Sequence, residues 1–180
     1  MDAIEYRRLR LGECGRIKEI DASQFIKRAW RGEEGERRLI EINYHEPGFP
    51  EGFENHLARL RETIAAGGFA LGAFHNGALI AFASVNNEIF GEKYKYVLLD
   101  QLFVSRGHRG KGIGKRLFFL SADEAKPLGA KKFYICAGSS EETIAFYFAV
   151  GCEAAKEINR ALYEEDARDY QLEYDFAKLH

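Results

Sequence analysis

At 180 residues, 46% of them hydrophobic and 30% charged, the chain is long enough to bury one sizeable core and has an ordinary globular composition. A formal net charge of −2 argues against a dedicated binder of nucleic acid or of anionic membrane, and no apolar run approaches the ~18 residues a membrane span needs. Cys14, Cys136 and Cys152 are odd in number and lack metal-ligand spacing, so no metal site is expected; the N-terminus has no apolar signal-peptide core, and a reducing cytoplasm fits both.

Ile4, Tyr6 and Leu9 predict an edge strand over residues 3 to 9. Ile17, Ile20, Phe25, Ile26 and Ala29 recur at helix-compatible spacing, which predicts one or two helices over residues 12 to 29, the second capped near Asp21-Ala-Ser23. Periodicity is lost from Trp30 to Glu51, where a loop is expected to hold one short strand at Leu39 to Tyr44. Leu57, Leu60 and Ile64 restore helical spacing over residues 53 to 65, and Gly67-Gly68 stops it. Phe69 to Phe74 and Ala78 to Val85 flank His75-Asn76-Gly77, a hairpin whose Asn-Gly pair supplies the positive φ angles of a tight turn. Tyr94 to Val104 is apolar on both faces except at Asp100 and Gln101, as in a central strand covered on both sides.

A glycine-rich turn follows, and Ile113, Leu117 and Leu120 then share one face of a helix that Pro127 ends. Lys132 to Ala137 reads as a buried strand. Ser139 with Glu142 is a capping-box pattern for a helix through Val150, with Gly151 as its C-terminal cap. Strands near Cys152 to Ile158 and Tyr170 to Phe176 flank a charged loop at 159–169. No repeat or linker interrupts this order, so one domain is expected over residues 1–180. It divides into an N-terminal part (1–68), a central part carrying the hairpin, long strand and glycine turn (69–138) and a C-terminal part (139–180).

The turn Arg109-Gly110-Lys111-Gly112-Ile113-Gly114-Lys115-Arg116 organises the chain. Glycines at alternate positions let backbone approach a ligand closely, and the first N–H groups of the following helix are left unsatisfied and attract anions. Arg106, Arg109, Lys111, Lys115 and Arg116 add positive charge, so phosphate is the expected guest. The Walker pattern fails because Gly114-Lys115 is followed by Arg116, and the Rossmann pattern fails because Lys115 or Leu117 falls at its last glycine. A nucleotide phosphotransferase is therefore disfavoured.

Arg109-x-x-Gly112-x-Gly114 resembles the [QR]-x-x-G-x-[GA] coenzyme A signature of the GNAT acyltransferase superfamily, and the preceding Leu102-Phe103-Val104 resembles that family's cofactor strand. Ser140-x-x-Thr143-x-x-Phe146-Tyr147-x-x-x-Gly151-Cys152 resembles its N-x-x-A-x-x-F-Y-x-x-x-G-F segment, with Ser140 in place of Asn and Cys152 in place of the last aromatic. The resemblance implies an α/β (α+β) fold, a mixed, mostly antiparallel twisted sheet flanked by helices on both faces. It also implies acetyl-CoA as donor substrate, with Leu102, Phe103, Val104, Arg109, Gly110, Lys111, Gly112, Gly114, Lys115 and Ser140 as its contacts.

The chemistry so implied is attack of a neutral amine on a thioester. With an unperturbed amine pKa of ~10.4, only about one lysine-like molecule in 2,500 is neutral at pH 7, so a proton acceptor is needed nearby. Asp100 is the first candidate: its place resembles the family's catalytic carboxylate, and it lies in a segment too apolar for an idle charge. A structural carboxylate bonded to backbone or arginine is the competing reading of Asp100, and Glu88 and His45 are weaker bases. Tyr147 is the corresponding acid for the departing thiolate, and backbone amides near Phe103 and Val104 would polarise the carbonyl. Tyr44, Trp30, Tyr163, Glu41, Glu164, Glu165 and Asp166 lie in the variable segments and would suit a cationic acceptor, a small-molecule or peptide amine. A non-catalytic acyl-CoA sensor or protein-binding module of the same fold is the alternative, and the oligomeric state is left open, a homodimer included.

Overall fold

The computed structural model describes residues 3–33 and 35–179; Met1, Asp2, Glu34 and His180, which fall in the expected domain, lie outside the described residues. Nine strands and four α-helices follow in the order β1 (Glu5–Arg8), β2 (Gln24–Arg31), β3 (Arg38–Glu46), α1 (Phe53–Ala65), β4 (Phe69–His75), β5 (Ala78–Phe90), β6 (Tyr96–Val104), α2 (Ile113–Ala125), β7 (Lys132–Ala137), α3 (Glu141–Ala149), β8 (Glu153–Ala154), α4 (Arg160–Glu165) and β9 (Tyr170–Asp175). Seven strands form one sheet in the order β1-β4-β5-β6-β7-β9-β8, while β2 and β3 pair separately. Every neighbouring pair in the large sheet is antiparallel except β6–β7, joined through α2. This is the mixed, mostly antiparallel sheet expected from the sequence.

Helices cover both faces. On one, Ile113, Leu117 and Phe118 of α2 and Ile144 and Tyr147 of α3 pack on the sheet with Val97, Phe133 and Tyr174. On the other, a 3-10 helix (Leu11–Glu19) and α1 bury Cys14, Ile17 and Leu60 against Leu79 and Phe82. Asn76 (φ 50°) and Gly77 (φ 78°) make the β4–β5 turn as predicted. Among the described residues no helix is long and apolar enough to cross a membrane.

Several expectations are corrected. The second helix of residues 12–29 is strand β2: Asp21 accepts the Ser23 N–H (3.0 Å), but the chain then extends and pairs along β3. The spacing of Phe25, Ile26 and Ala29 fits either state, and the non-local ladder decides it. The loop expected from Trp30 to Glu51 is largely β3, longer than the strand predicted there, with a bulge that puts Asn43 at φ 45°. The cap of α3 is Ser140, whose Oγ accepts the Thr143 N–H (3.2 Å), because Ser139 Oγ accepts instead from Arg31 (2.8 Å). Cys152 to Ile158 holds only the two-residue β8, since Glu157 turns away to accept the N–H groups of Lys93 (3.0 Å) and Tyr94 (3.2 Å). Within the charged loop at 159–169, Asn159 caps the short helix α4, and on α2 Leu120 is only half-buried, the buried stripe running through Phe118 and Ser121.

Candidate active site

The parallel pair β6–β7 holds together over three residue pairs only, Tyr96↔Lys132, Val97↔Phe133 and Leu98↔Tyr134. Beyond Leu98, β6 stays on β5 and β7 stays on β9, so the two strands part toward their C-terminal ends, where ligands enter open α/β sheets. A cleft of about 1190 Å³ opens there, walled by Leu99 to Phe103 on one side and by Cys136 to Ser140 with Tyr147 on the other. The β2–β3 hairpin closes its flank, tied down by Trp30 N–H to Ser139 O (2.8 Å) and an isolated bridge between Ala29 and Ser140.

At the far end of β6 the glycine turn is open. Gly110 (φ 74°) and Gly112 (φ 80°) hold left-handed conformations that glycine adopts without strain, and a Cβ on either would meet nothing within 4 Å. The first bond of α2 is Arg116 N–H to Gly112 O (3.0 Å), so the N–H groups of Ile113, Gly114 and Lys115 lie ahead of the ladder. Gly114 serves packing instead: its Cβ would sit 3.2 Å from Val104 Cγ2 and 3.4 Å from the Phe146 ring, so those side chains would have to give by a few tenths of an ångström.

The charged side chains of the turn divide. Arg109 turns inward, donating to Val104 O (2.9 Å) and Ser23 O (2.9 Å), which joins the end of β6 to the start of β2. Burial pushes its guanidinium pKa below the usual value. Lys111 Nζ donates to Gly107 O (3.0 Å), whereas Lys115 and Arg116 are exposed beside the helix N-terminus. Leu102 and Phe103 line the cleft, Val104 packs beneath Gly114, and Ser140 lines the cleft while its hydroxyl caps α3.

Asp100 is the extra residue of a β-bulge, because Ser84 faces Gln101 while Val85 faces Leu99. A bulge sends two successive side chains toward one face. Here both meet α1: Asp100 Oδ1 accepts from Arg59 Nη2 (2.5 Å), and Gln101 Oε1 lies 2.8 Å from His56 Nδ1. Asp100 is thus an ion-paired carboxylate with its side chain 11% exposed. His56, buried and not singled out from the sequence, also has Nε2 2.7 Å from Pro50 O. Its signal was the His56/Arg59 spacing, which puts both on one face of α1.

Tyr147 lines the opposite wall, where its hydroxyl bonds to none of the described residues and burial pushes its pKa up, keeping it a neutral phenol. Burial likewise raises the thiol of Cys136 to about 12, so it stays protonated. Asp169, which sequence reading left inside a charged loop, also lines the cleft. Burial first, then the neighbouring Asp166, lifts its carboxyl to about 6.

Of the residues expected around the acceptor, Tyr44, Glu165 and Asp166 line the cleft, as does Glu88; Trp30, Glu41, Tyr163 and Glu164 do not. Trp30 packs edge-on against Tyr170, and His45 is exposed on β3 opposite Phe25. The lining carries eight carboxylate side chains against three arginines, Arg31, Arg59 and Arg168. Such a wall favours a cationic guest. Among the described residues no cluster of His, Cys, Asp and Glu could hold a metal ion.

Comparison with known proteins agrees with this geometry. The profile described as the acetyltransferase (GNAT) family matches residues 36–151. Nourseothricin acetyltransferase superposes with a TM-score of 0.69 at 19% identity, over 96% of this chain and 98% of that one. A PaiA N-acetyltransferase from Thermoplasma acidophilum, solved with coenzyme A, gives 0.62 at 18% identity over 96% and 99% of the two chains. An aminoglycoside 6'-N-acetyltransferase complexed with coenzyme A gives 0.56 at 15% identity over 70% and 82%. At these identities the likeness is one of fold, and no curated protein matches the sequence significantly.

Proposed function

The chain belongs to the acetyltransferase (GNAT) family, and from that membership we propose that it transfers an acetyl group from acetyl-CoA to a primary amine on a cationic small molecule or peptide. The parting of β6 from β7 carries this reading: it opens an acid-lined chamber between parallel strands, beside the strand whose end leads into the open glycine turn. The N–H groups at the start of α2, with Lys115 and Arg116, suit a pyrophosphate. The space beside Gly110 and Gly112 admits it without a side chain in the way. Two of the similar structures are named for acetylating nourseothricin and an aminoglycoside.

In the proposed reaction the acceptor enters as an ammonium, is held among the carboxylates, loses a proton and attacks the thioester carbon directly. Backbone groups of β6 that point away from β5 beyond Leu98 lack a strand partner and are free to polarise the carbonyl. Asp100, fixed by Arg59, orients the nitrogen, and Tyr147, a neutral phenol in a buried wall, protonates the departing thiolate.

Two measurements test this. Titrated CoA should raise the melting temperature, and thiol release from acetyl-CoA should run faster with spermidine, nourseothricin or an aminoglycoside than with a simple monoamine. CoA binding with no turnover on any amine would point to an acyl-CoA sensor instead; the absence of both would end the reading.

A further inference from the structure

Three carboxylates act electrostatically on Cys136 and Tyr147 in the wall of the cleft. Asp100, Glu165 and Asp169 all bear on the Cys136 thiol, and Asp169 alone of the three also bears on the Tyr147 phenol. Their situations differ. Asp100 is tied to Arg59, and Glu165 is exposed at the end of α4. Asp169 is half-buried, and its carboxylate accepts no hydrogen bond and joins no ion pair among the described residues. Its backbone is pinned: the N–H donates to Asp166 O (3.1 Å), and its carbonyl accepts from Arg37 Nη2 (2.9 Å). The next residue, Tyr170, pairs with Ala137, which puts Asp169 level with the cleft wall that follows Cys136. A carboxylate held in place by its main chain, with free oxygens on the cleft that Tyr147 also lines, is the geometry a proton acceptor needs.

Resting on the N-acetyltransferase reading, we propose that Asp169 is a catalytic residue: its carboxylate removes the proton from the acceptor ammonium, while Asp100, held by Arg59, positions the same nitrogen from the opposite wall. The ammonium gives one proton to Asp169, which later passes it to solvent. The freed lone pair forms the C–N bond to the thioester carbon, and the C–S bond breaks with its electron pair on sulfur. Tyr147 supplies the proton that makes the thiol, and the second proton lost by nitrogen as the amide forms restores Tyr147. One acetyl group moves and one proton is released overall.

The surroundings support this. Asp166 of the same loop and Glu51 before α1 oppose ionisation of Asp169; Arg168 of the loop and Arg37 before β3 favour it. Burial and the two carboxylates prevail, leaving a pKa of about 6, so the group is mainly ionised at neutral pH yet still basic enough to take a proton.

The test is the pH dependence of kcat and kcat/KM for acetyl transfer to spermidine, nourseothricin and an aminoglycoside by wild type, Asp169→Asn, Asp169→Glu and Asp100→Asn. Asp169→Asn should lower kcat by about 10²-fold or more at pH 7. The acid limb near pH 6 should vanish, KM for acetyl-CoA should hold, and the deficit should shrink tenfold per pH unit as more acceptor is supplied as free amine. Asp169→Glu should restore part of the rate with a displaced limb. Asp100→Asn should raise KM for the amine and keep the limb. An Asp169→Asn enzyme within threefold of wild type with its limb intact would overturn the proposal, and so would loss of the limb in Asp100→Asn alone. If Asp169→Asn does not fold, judged by its CoA-dependent melting shift, an unmoved limb in Asp169→Glu overturns it equally. Wild type inert toward every amine would remove the acetyltransferase reading itself, whereas active wild type with an unaffected Asp169→Asn removes only this residue's role.

Discussion

Replacing Gly112 with valine separates the strain of a left-handed residue from the loss of a ligand site, because the fold supplies its own control. Gly112 has φ 80° and ψ 1°, and Gly129, after the 3-10 turn Lys126–Leu128, has φ 90° and ψ 0°. A Cβ on either would meet no atom within 4 Å. Valine should therefore destabilise both variants by the same amount, about 2 kcal/mol for a β-carbon in this region. For a chain of this size that lowers the melting temperature by roughly 4–8 °C. The assay is thermal unfolding with and without CoA. At a concentration 100 times Kd, CoA stabilises wild type by about 2.7 kcal/mol, and Gly129→Val should keep that increment. In Gly112→Val the isopropyl group would occupy the space in front of the α2 N-terminus, and the increment should vanish. An equal CoA shift in both variants would refute the placement of the diphosphate at this turn.

Tyr147→Phe should reduce thiol release by about 10²-fold with little change in KM for acetyl-CoA, and its unpartnered hydroxyl means stability should barely change, as a parallel melt would show. Arg59→Ala and Asp100→Asn, alone and together, should give a coupling energy of about 1 kcal/mol in a denaturation cycle, since Arg59 is 44% exposed and solvent screens the pair. Asp169→Asn should stabilise the protein at pH 7.5 by about 1 kcal/mol, once screening of a half-buried group is allowed for. The sign follows from a folded pKa raised from 3.8 to about 6: the native state binds the proton more tightly, so the wild-type penalty is absent below pH 3.8, grows between 3.8 and 6 and stays constant above. Equal melting temperatures for the two proteins at pH 7.5 would contradict it.

The glycine turn and the hairpin were legible in the sequence because their geometry is local. Alternating glycines, a helix start and an Asn-Gly hairpin each impose φ angles or unpaired N–H groups whatever surrounds them. The rest depends on partners far along the chain. Phe25 and Ile26 lie in a strand because β3 is there to pair with them, and the bulge that aims Asp100 is a matter of register with β5. Arg109, expected at the phosphate, is turned toward Ser23 and Val104, partners whose position only the folded β2 entry determines. Asp169 is hardest to read, since its pKa is set by burial together with Glu51, Arg37 and Asp166, brought together from three segments.

That division has a consequence for what can change. The proposed diphosphate end would rely on main-chain groups of one continuous stretch, where substitutions at Gly110, Gly112 and Gly114 have backbone or packing reasons to fail. The proposed acceptor end is assembled from β2, β3, α1 and the α4–β9 connection, each contributing two or three exposed or half-exposed groups. Exchanging Tyr44, Glu51 or Glu165 alters charge and shape without disturbing the core, because surface substitutions of this kind change stability by only about 0.5 kcal/mol. The eight carboxylates around three arginines repel one another when the cleft is empty. A polycation entering it relieves that repulsion, so amine affinity should weaken with added salt.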